Sequence, residues 1–316
     1  MNSGWGGWVW APEVRSATAN ADFTRRAQLM LFSALASMDG WNTGFVPWNS
    51  SAVDAESEAM FANMAQERAK LSPFLYSAYQ RQGVDGVPVA RAMMVDFDND
   101  TASYSIEDQY LLGDGLMVAP VGATESQNST QRTVHFPPGY QWIDYWNPTT
   151  GVTHQGGTNT VVAAPLTTLP LFQRKGSVVP MLDLDDETVL VLKTHDNGQP
   201  HRGFVYDDDG ISTNAELYNE YFRLATETSY GGSSVTLTAR VEHAHWEPTW
   251  RHVRWEVAGS RVEQWESITC GGETLPRVAM EMMGEIGGGW AVTEAKATLL
   301  LPVTAQVGWE ITCIAK

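Results

Sequence analysis

LSPFLYSAYQRQGVDGVPVARAMMVDFDNDTASYSIEDQYLLGDGLMVAPV (residues 71–121) changes character midway. Up to about Gly83 its apolar residues fall at helical spacing. After Gly86 they run in short strand-like blocks, VPVARAMMVDF and LMVAPV. The second half also gathers three carboxylates, Glu107, Asp108 and Asp114, beside a run that reads as a buried strand. Paired carboxylates are the equipment of general acid–base chemistry. The stretch therefore has to be read either as a site or as the wall next to one.

Working outward, the upstream residues are helical. DFTRRAQLMLFSALASM places Phe23, Ala27, Met30, Leu31 and Ala34 near a 3.6-residue period. A second helix opens with acidic residues after Ser51, has apolar positions at Met60, Phe61, Met64 and Leu71, and stops near Gly83. Pro73 should kink it or divide it in two. Downstream come QRTVHFP, QWIDYW, TVVAAPL and LFQRKGSVVPM, then TVLVLKTH, GFVYDDDG, SSVTLTARVEH, RHVRWEVAG, ATLLLPV and WEITCIA. Many short strands separated by Pro-Pro-Gly, Asn-Pro and Gly-Gly argue for antiparallel sandwiches. Two helices with almost no strand cannot close a core of their own. Something must cover the face of Phe23, Ala27, Met30 and Leu31, and for the chain alone the reading leaves that face exposed.

Composition narrows the partners. The 316 residues are 43% hydrophobic and 18% charged, enough for about two or three domains and not a disordered tract. A net charge of -17 argues against nucleic acid, whose phosphates need an excess of Lys and Arg. No run is long and apolar enough to span a membrane. The opening MNSGWGGWVWAPEV lacks a basic flank and is broken by Gly and Pro; it reads like the middle of a fold, not a signal peptide. Cys270 and Cys313, the two cysteines, could pair across a sandwich or stay apart. Nothing in the sequence asks for a cofactor.

The order of motifs resembles the region after the barrel in glycoside hydrolase family 31, the α-glucosidase and α-xylosidase family. LSPFLYS is similar to that family's LxPYLYS helix, and the EDQYLLGDGLMVAPV block to its DQ(F/Y)xLGxxLLVAPV. HFPPGYQWIDYWNPTTG, APLTTLPLFQRKGSVVPM and FVYDDDG followed by YNEYFR resemble its later segments in the same order. Upstream, GWGGWVW, the first helix and Pro47-Trp48 resemble the last strands of the barrel. The resemblance implies an α/β plus all-β chain: the C-terminal end of a (β/α)8 barrel over residues 1–82, a proximal antiparallel β-sandwich over 83–182 and a distal one over 183–316.

The family uses a retaining mechanism in which a nucleophile and an acid/base stand about 5 Å apart. By resemblance these lie in DMNE-type and GDN-type motifs, and neither occurs in this chain. No catalytic residue is therefore assigned, and Glu107, Asp108 and Asp114 are read as structural, with Asp108-Gln109 ordering a corner. The remaining barrel-side carboxylates are Glu13, Asp22 and Asp39, of which Asp22 suits a helix start. What the resemblance leaves for sugar contact is the rim, namely Asp39 with the tryptophans Trp5, Trp8, Trp41 and Trp48. Two departures touch it. Gly4 stands where the family has Asp, and Ser37 and Asp39 where it has Arg and His.

Two clusters outside the barrel remain. Asp207–Gly210 lacks the spaced oxygens of a calcium loop and reads as a hairpin turn. His243 and His245, with His252 nearby in sequence, offer imidazoles without a further spaced ligand, so no metal is assigned. The expected function is that of the C-terminal part of a retaining α-glycoside hydrolase, an enzyme by resemblance but inactive as this chain alone. Its partners would be an α-glycoside and the N-terminal part of the barrel. The alternative is a non-catalytic carbohydrate-binding or scaffold module derived from that family.

Overall fold

The computed structural model describes residues 12–14, 17–38, 46–48, 51–122, 126–149, 151–232, 234–282, 288–293, 295–304 and 306–316. The chain clusters into two compact units, one holding residues 1–69, 81–146 and 152–173, the other 70–80, 147–151 and 174–316. The described part is mostly β-sheet with few helices.

The first unit opens with β1 (Glu13–Val14) and β2 (Ser37–Met38), which pair in parallel with α1 (Asn20–Leu31) between them. A parallel pair requires a crossover, and the helix supplies it. α2 (Ala55–Lys70) and α3 (Ser72–Asp85) are the two parts into which the second helix was expected to divide. Pro73 is the reason: its ring fits only the first turn, so the helix restarts at Ser72. α3 runs past Gly83 and stops at Gly86, whose φ of 73° and N–H to the Gln82 carbonyl (3.1 Å) form a left-handed cap.

Next come β3 (Ala90–Ala92), β4 (Tyr110–Leu112), β5 (Leu116–Val118), β6 (Gln131–Phe136), β7 (Gln141–Asp144), β8 (Thr153–Gln155), β9 (Thr158–Ala163) and β10 (Leu171–Arg174). Six of them form one sheet in the order β3-β4-β5-β10-β7-β8, and β6 and β9 form a separate ribbon. Leu111, Met117, Trp142 and Phe172 from the sheet share a core with Val134, Phe136 and Val162 from the ribbon. VPVARAMMVDF is not one strand. Only Ala90–Ala92 is extended, and a short 3-10 turn follows at Met93–Val95. Buried Arg91 reaches forward to both carboxylate oxygens of Asp96 at 2.6 Å, which fits a chain curled at this point.

Every residue of β4 and β5 is buried, so both faces of that sheet are covered. The Tyr110 hydroxyl donates to the Phe32 carbonyl at 2.9 Å, and Phe32 meets the edge of Trp146 with ring centroids 5.6 Å apart. The face of α1 expected to lie open is therefore closed within this unit. Phe23, Ala27, Met30 and Leu31 are all buried, and Phe23 stacks on Phe61 of α2 with centroids 6.5 Å apart.

The second unit contains β11 (Val179–Leu182), β12 (Val189–His195), β13 (His201–Asp207), α4 (Ala215–Tyr218), β14 (Phe222–Gly231), β15 (Ser234–Ala244) and β16 (His252–Ala258). It continues with β17 (Ile268–Cys270), β18 (Glu273–Thr274), β19 (Gly289–Thr293), β20 (Lys296–Pro302) and β21 (Glu310–Ala315). Two sheets, β11-β12-β16-β20-β19 and β13-β14-β15-β21-β17-β18, enclose one core. Leu190, Trp255 and Leu299 come from the first sheet, and Phe222, Leu237 and Val241 from the second.

Two expectations are corrected here. LFQRKGSVVPM breaks at Gly176 (φ 95°) into β10 and β11, and β11 ladders with β12, so Val179–Leu182 belongs to the distal sheet. The sandwich is also not wholly antiparallel, since β12 and β16 pair in parallel over seven residues from Val189↔His252 to His195↔Ala258. Three strands of the opposite sheet lie between them in sequence, and such a crossover allows the chain to return in the same direction.

Candidate functional site

The acidic stretch is built as structure. Asp108 pairs with the buried Arg132 at 3.0 Å, Asp114 lies 3.5 Å from Arg91 and is also bound by Arg81, and Glu107 is exposed. Gln109 holds both sides of the His135 peptide, its amide donating to the carbonyl (2.9 Å) and its oxygen accepting from the N–H (2.8 Å). That clamp joins β6 to the start of β4 and is the corner expected of Asp108-Gln109. Asp100 receives His135 Nε2 at 2.6 Å and Ser103 Oγ at 2.8 Å. Burial alone would raise its pKa, but those hydrogen bonds hold it below the ordinary carboxylate value.

Of the carboxylates expected on the barrel side, Glu13 and Asp22 fall among the described residues. Asp22 sits in the first turn of α1, where it accepts from the Thr18 backbone N–H at 2.9 Å, from Arg26 Nε at 2.6 Å and from Gln127 at 3.0 Å. Burial pushes its pKa up, yet Arg26 and Thr18 outweigh it and the pKa ends low. Asp22 is thus a helix anchor, reaching back from the third helical position instead of capping as residue Ncap. Glu13 lies in β1. Trp48 is 73% exposed. Asp39, Trp5, Trp8 and Trp41 lie outside the described residues, as does Gly4.

The Asp207–Gly210 segment is the turn that the sequence suggests, but it carries more. Asp209 accepts from the backbone of Ile211 (2.9 Å) and Ser212 (2.8 Å). Asp208 accepts from Gly210 N–H (2.8 Å), from the Tyr206 hydroxyl (2.9 Å) and from the Tyr76 hydroxyl. These groups line a cleft of about 300 Å3 with Trp250 and Asp207. Burial, with Asp208 beside it, pushes the Asp207 carboxyl up to about 6. Local spacing could not reveal that Tyr76 meets Asp208, because the two are 132 residues apart. Arg25 was missed for the same reason. From within α1 its guanidinium donates to the carbonyls of Ala164 (2.7 Å), Ser129 (2.9 Å) and Pro165 (3.2 Å).

The histidines do not converge on a metal. His243 Nε2 (3.2 Å) and His245 Nδ1 (3.1 Å) both approach the Asn219 carbonyl, and His243 stacks on Tyr221 with ring centroids 3.9 Å apart. His252 pairs with Val189 in the opposite sheet. Among the described residues, no group of three or more His, Cys, Asp or Glu side chains could hold a metal ion. Cys270 and Cys313 form a disulfide between paired positions of β17 and β21.

In chain order, a short parallel strand–helix–strand segment precedes the β-rich remainder, in which Asp108 and Asp114 are paired with arginines. Residues 86–179 match the model of the glycosyl hydrolase family 31 C-terminal domain. The chain is 29% identical over 213 residues to Alpha-glucosidase 2 of Bacillus thermoamyloliquefaciens, covering 65% of this chain and 25% of that protein. It is 33% identical over 144 residues to an isomaltosyltransferase of Sporosarcina globispora, covering 45% of this chain and 12% of that one. The chain thus spans a quarter or less of these curated relatives. Among solved structures, the family 31 dextranase of Flavobacterium johnsoniae complexed with glucose superposes with a TM-score of 0.81 at 22% identity, over 94% of this chain and 37% of that one. An α-xylosidase of Xanthomonas citri gives 0.64 at 25% identity, over 75% and 25%. No described helix is long and apolar enough to cross a membrane.

Proposed function

We propose that this chain is the C-terminal part of a retaining α-glycoside hydrolase, with residues 1–82 ending the catalytic barrel and two β-domains buttressing it. The observation that carries the reading is the unbroken run of family motifs from LSPFLYS to YNEYFR, with residues 86–179 matching the family's C-terminal domain. The parallel pairing of β1 with β2 across α1 supports a barrel end, since barrels are built from that unit. The domain change is drawn between β10 and β11, close to Gly176. Asp39, Trp5, Trp8, Trp41 and Trp48 would form the rim that meets the α-glycoside. The nucleophile and the acid/base would come from barrel segments whose motifs are not in this chain.

The test is to express the coding sequence extended upstream of Met1 and follow a chromogenic α-glucoside together with the anomer first released. Hydrolysis with retention is expected. Inversion, or a folded extended protein without hydrolysis, would overturn the reading. Gly4 and Asp39, which depart from the family's residues, favour a second reading, a module that binds carbohydrate without cleaving it.

A further inference from the structure

Three Asn-Xaa-Ser/Thr triplets occur in the chain, beginning at Asn49, Asn99 and Asn128. Such triplets also arise by chance, so a working one has to show the right surroundings. Asn49 lies outside the described residues. Asn99 is exposed, but its side-chain amide donates to Asp98 at 3.0 Å, and Asp100 fills the middle of the triplet.

Asn128 stands in the turn that leads into β6, and that turn is held from inside. Gln127 Nε2 donates to Asp22 of α1 (3.0 Å), and Arg25 of the same helix donates to the Ser129 carbonyl (2.9 Å). The Ser129 N–H closes the turn onto the Ser126 carbonyl (2.8 Å). The residues on either side are thus tied to the helix, while Asn128 and Thr130 are exposed. Among the described residues neither of these two side chains has a hydrogen-bond partner. The amide and the hydroxyl that the triplet requires are both free. A branched sugar carried there extends into water and displaces no packed atoms.

A second observation concerns the compartment. Cys270 and Cys313 are the chain's two cysteines, and their disulfide leaves no free thiol. Disulfides form and persist in oxidising compartments such as the lumen of the secretory pathway. Oligosaccharides are transferred to asparagine in that same lumen.

We propose that Asn128 carries an N-linked oligosaccharide. The donor is an oligosaccharide joined to a lipid diphosphate. Asn128 Nδ2 bonds to the anomeric carbon, the bond from that carbon to the diphosphate breaks, and the amide proton leaves with the diphosphate. Because the donor is an anion, charge ranks the sites. Asp98 and Asp100 flank Asn99 and repel a diphosphate, whereas Ser126 to Gln131 carries no charge. Asn128 is the acceptor and Asn99 is not. None of this depends on whether the protein hydrolyses α-glycosides.

The test is peptide mapping by mass spectrometry of the protein purified from the cells that make it, after digestion with peptide N-glycosidase in heavy-oxygen water. That digestion turns a glycan-bearing asparagine into an aspartate labelled with heavy oxygen. Label at Asn128 and none at Asn99 is expected. An unlabelled Asn128 would overturn the proposal, and label at Asn99 as well would overturn the ranking by charge. Two variants of the whole chain, secreted from eukaryotic cells, control for spontaneous deamidation. Thr130→Ala keeps Asn128 but removes the hydroxyl, and should leave Asn128 unlabelled. Thr130→Ser keeps the triplet and should retain the label. Label at Asn128 in Thr130→Ala would mean that deamidation produced it, and would sink the proposal.

Discussion

At the scale of single residues, the side chains that hold the fold are those the sequence marks least. Arg25 looks like one more surface charge in a helix, but it is buried and satisfies carbonyls from two distant loops. Arg25→Ala should destabilise the first unit by about 3 kcal/mol, because several buried acceptors lose their donor together. Urea unfolding measures this, and a loss below about 1 kcal/mol would show that water replaces the guanidinium. His195 gives a pH signature. Burial, and then Lys175, lowers its pKa to about 3, so it stays neutral when folded while the unfolded chain takes up a proton near 6.5. Its contribution is complete above pH 6.5 and falls as pH drops, by at most about 1.4 kcal/mol per unit. Asp207, raised to about 6, acts in the opposite sense: its share is complete below the unfolded value of 3.8 and lost as pH rises through 6. The stability of His195→Leu relative to wild type should therefore climb between pH 7 and 5 in urea titrations. A constant difference would mean that the imidazole charges in the folded state.

Elements were legible where the hydrophobic period was clean. QRTVHFP, TVLVLKTH, RHVRWEVAG and WEITCIA all became strands, and Pro73 divided its helix as chain sterics require. The failures have separate causes, a short-range ion pair in one and a diluted alternation in the other. VPVARAMMVDF has the composition of a strand, but it becomes a 3-10 turn where Arg91 binds Asp96. β14 went unread because threonines 226 and 228 occupy inward positions beside Phe222 and Leu224, diluting the alternation. The disulfide is the clearest device at this scale, fastening the β17–β18 edge to the C-terminal strand. Its sequence separation of 43 corresponds to about 4 kcal/mol of loop entropy, so Cys270→Ser with Cys313→Ser should destabilise the second unit by roughly that amount. Equal thermal midpoints with and without reductant would contradict this. At the turn after β13, Tyr76→Phe removes a hydroxyl that Asp208 accepts and should cost about 1–2 kcal/mol. Thermal unfolding checks it, and no shift would mean the contact is not maintained.

At the scale of the molecule, motif order made the β-rich architecture and the family legible, while packing of the helical segment was not. The sequence suggested an open apolar face on α1, whereas α2 and the first β-domain cover it. Of the proposed rim only Trp48 falls among the described residues, where it is exposed. Of the carboxylates that drew attention first, Asp108 and Asp114 are paired with arginines and Glu107 is exposed. The direct measurement is turnover of 4-nitrophenyl α-glucoside by the purified, folded chain against a control preparation from an empty vector. Release of nitrophenolate no faster than the control is the expected result, because retaining hydrolysis needs a nucleophile and an acid/base about 5 Å apart and neither motif is in this chain. Turnover that co-purifies with the chain and disappears in Glu13→Gln or Asp39→Asn would contradict the account.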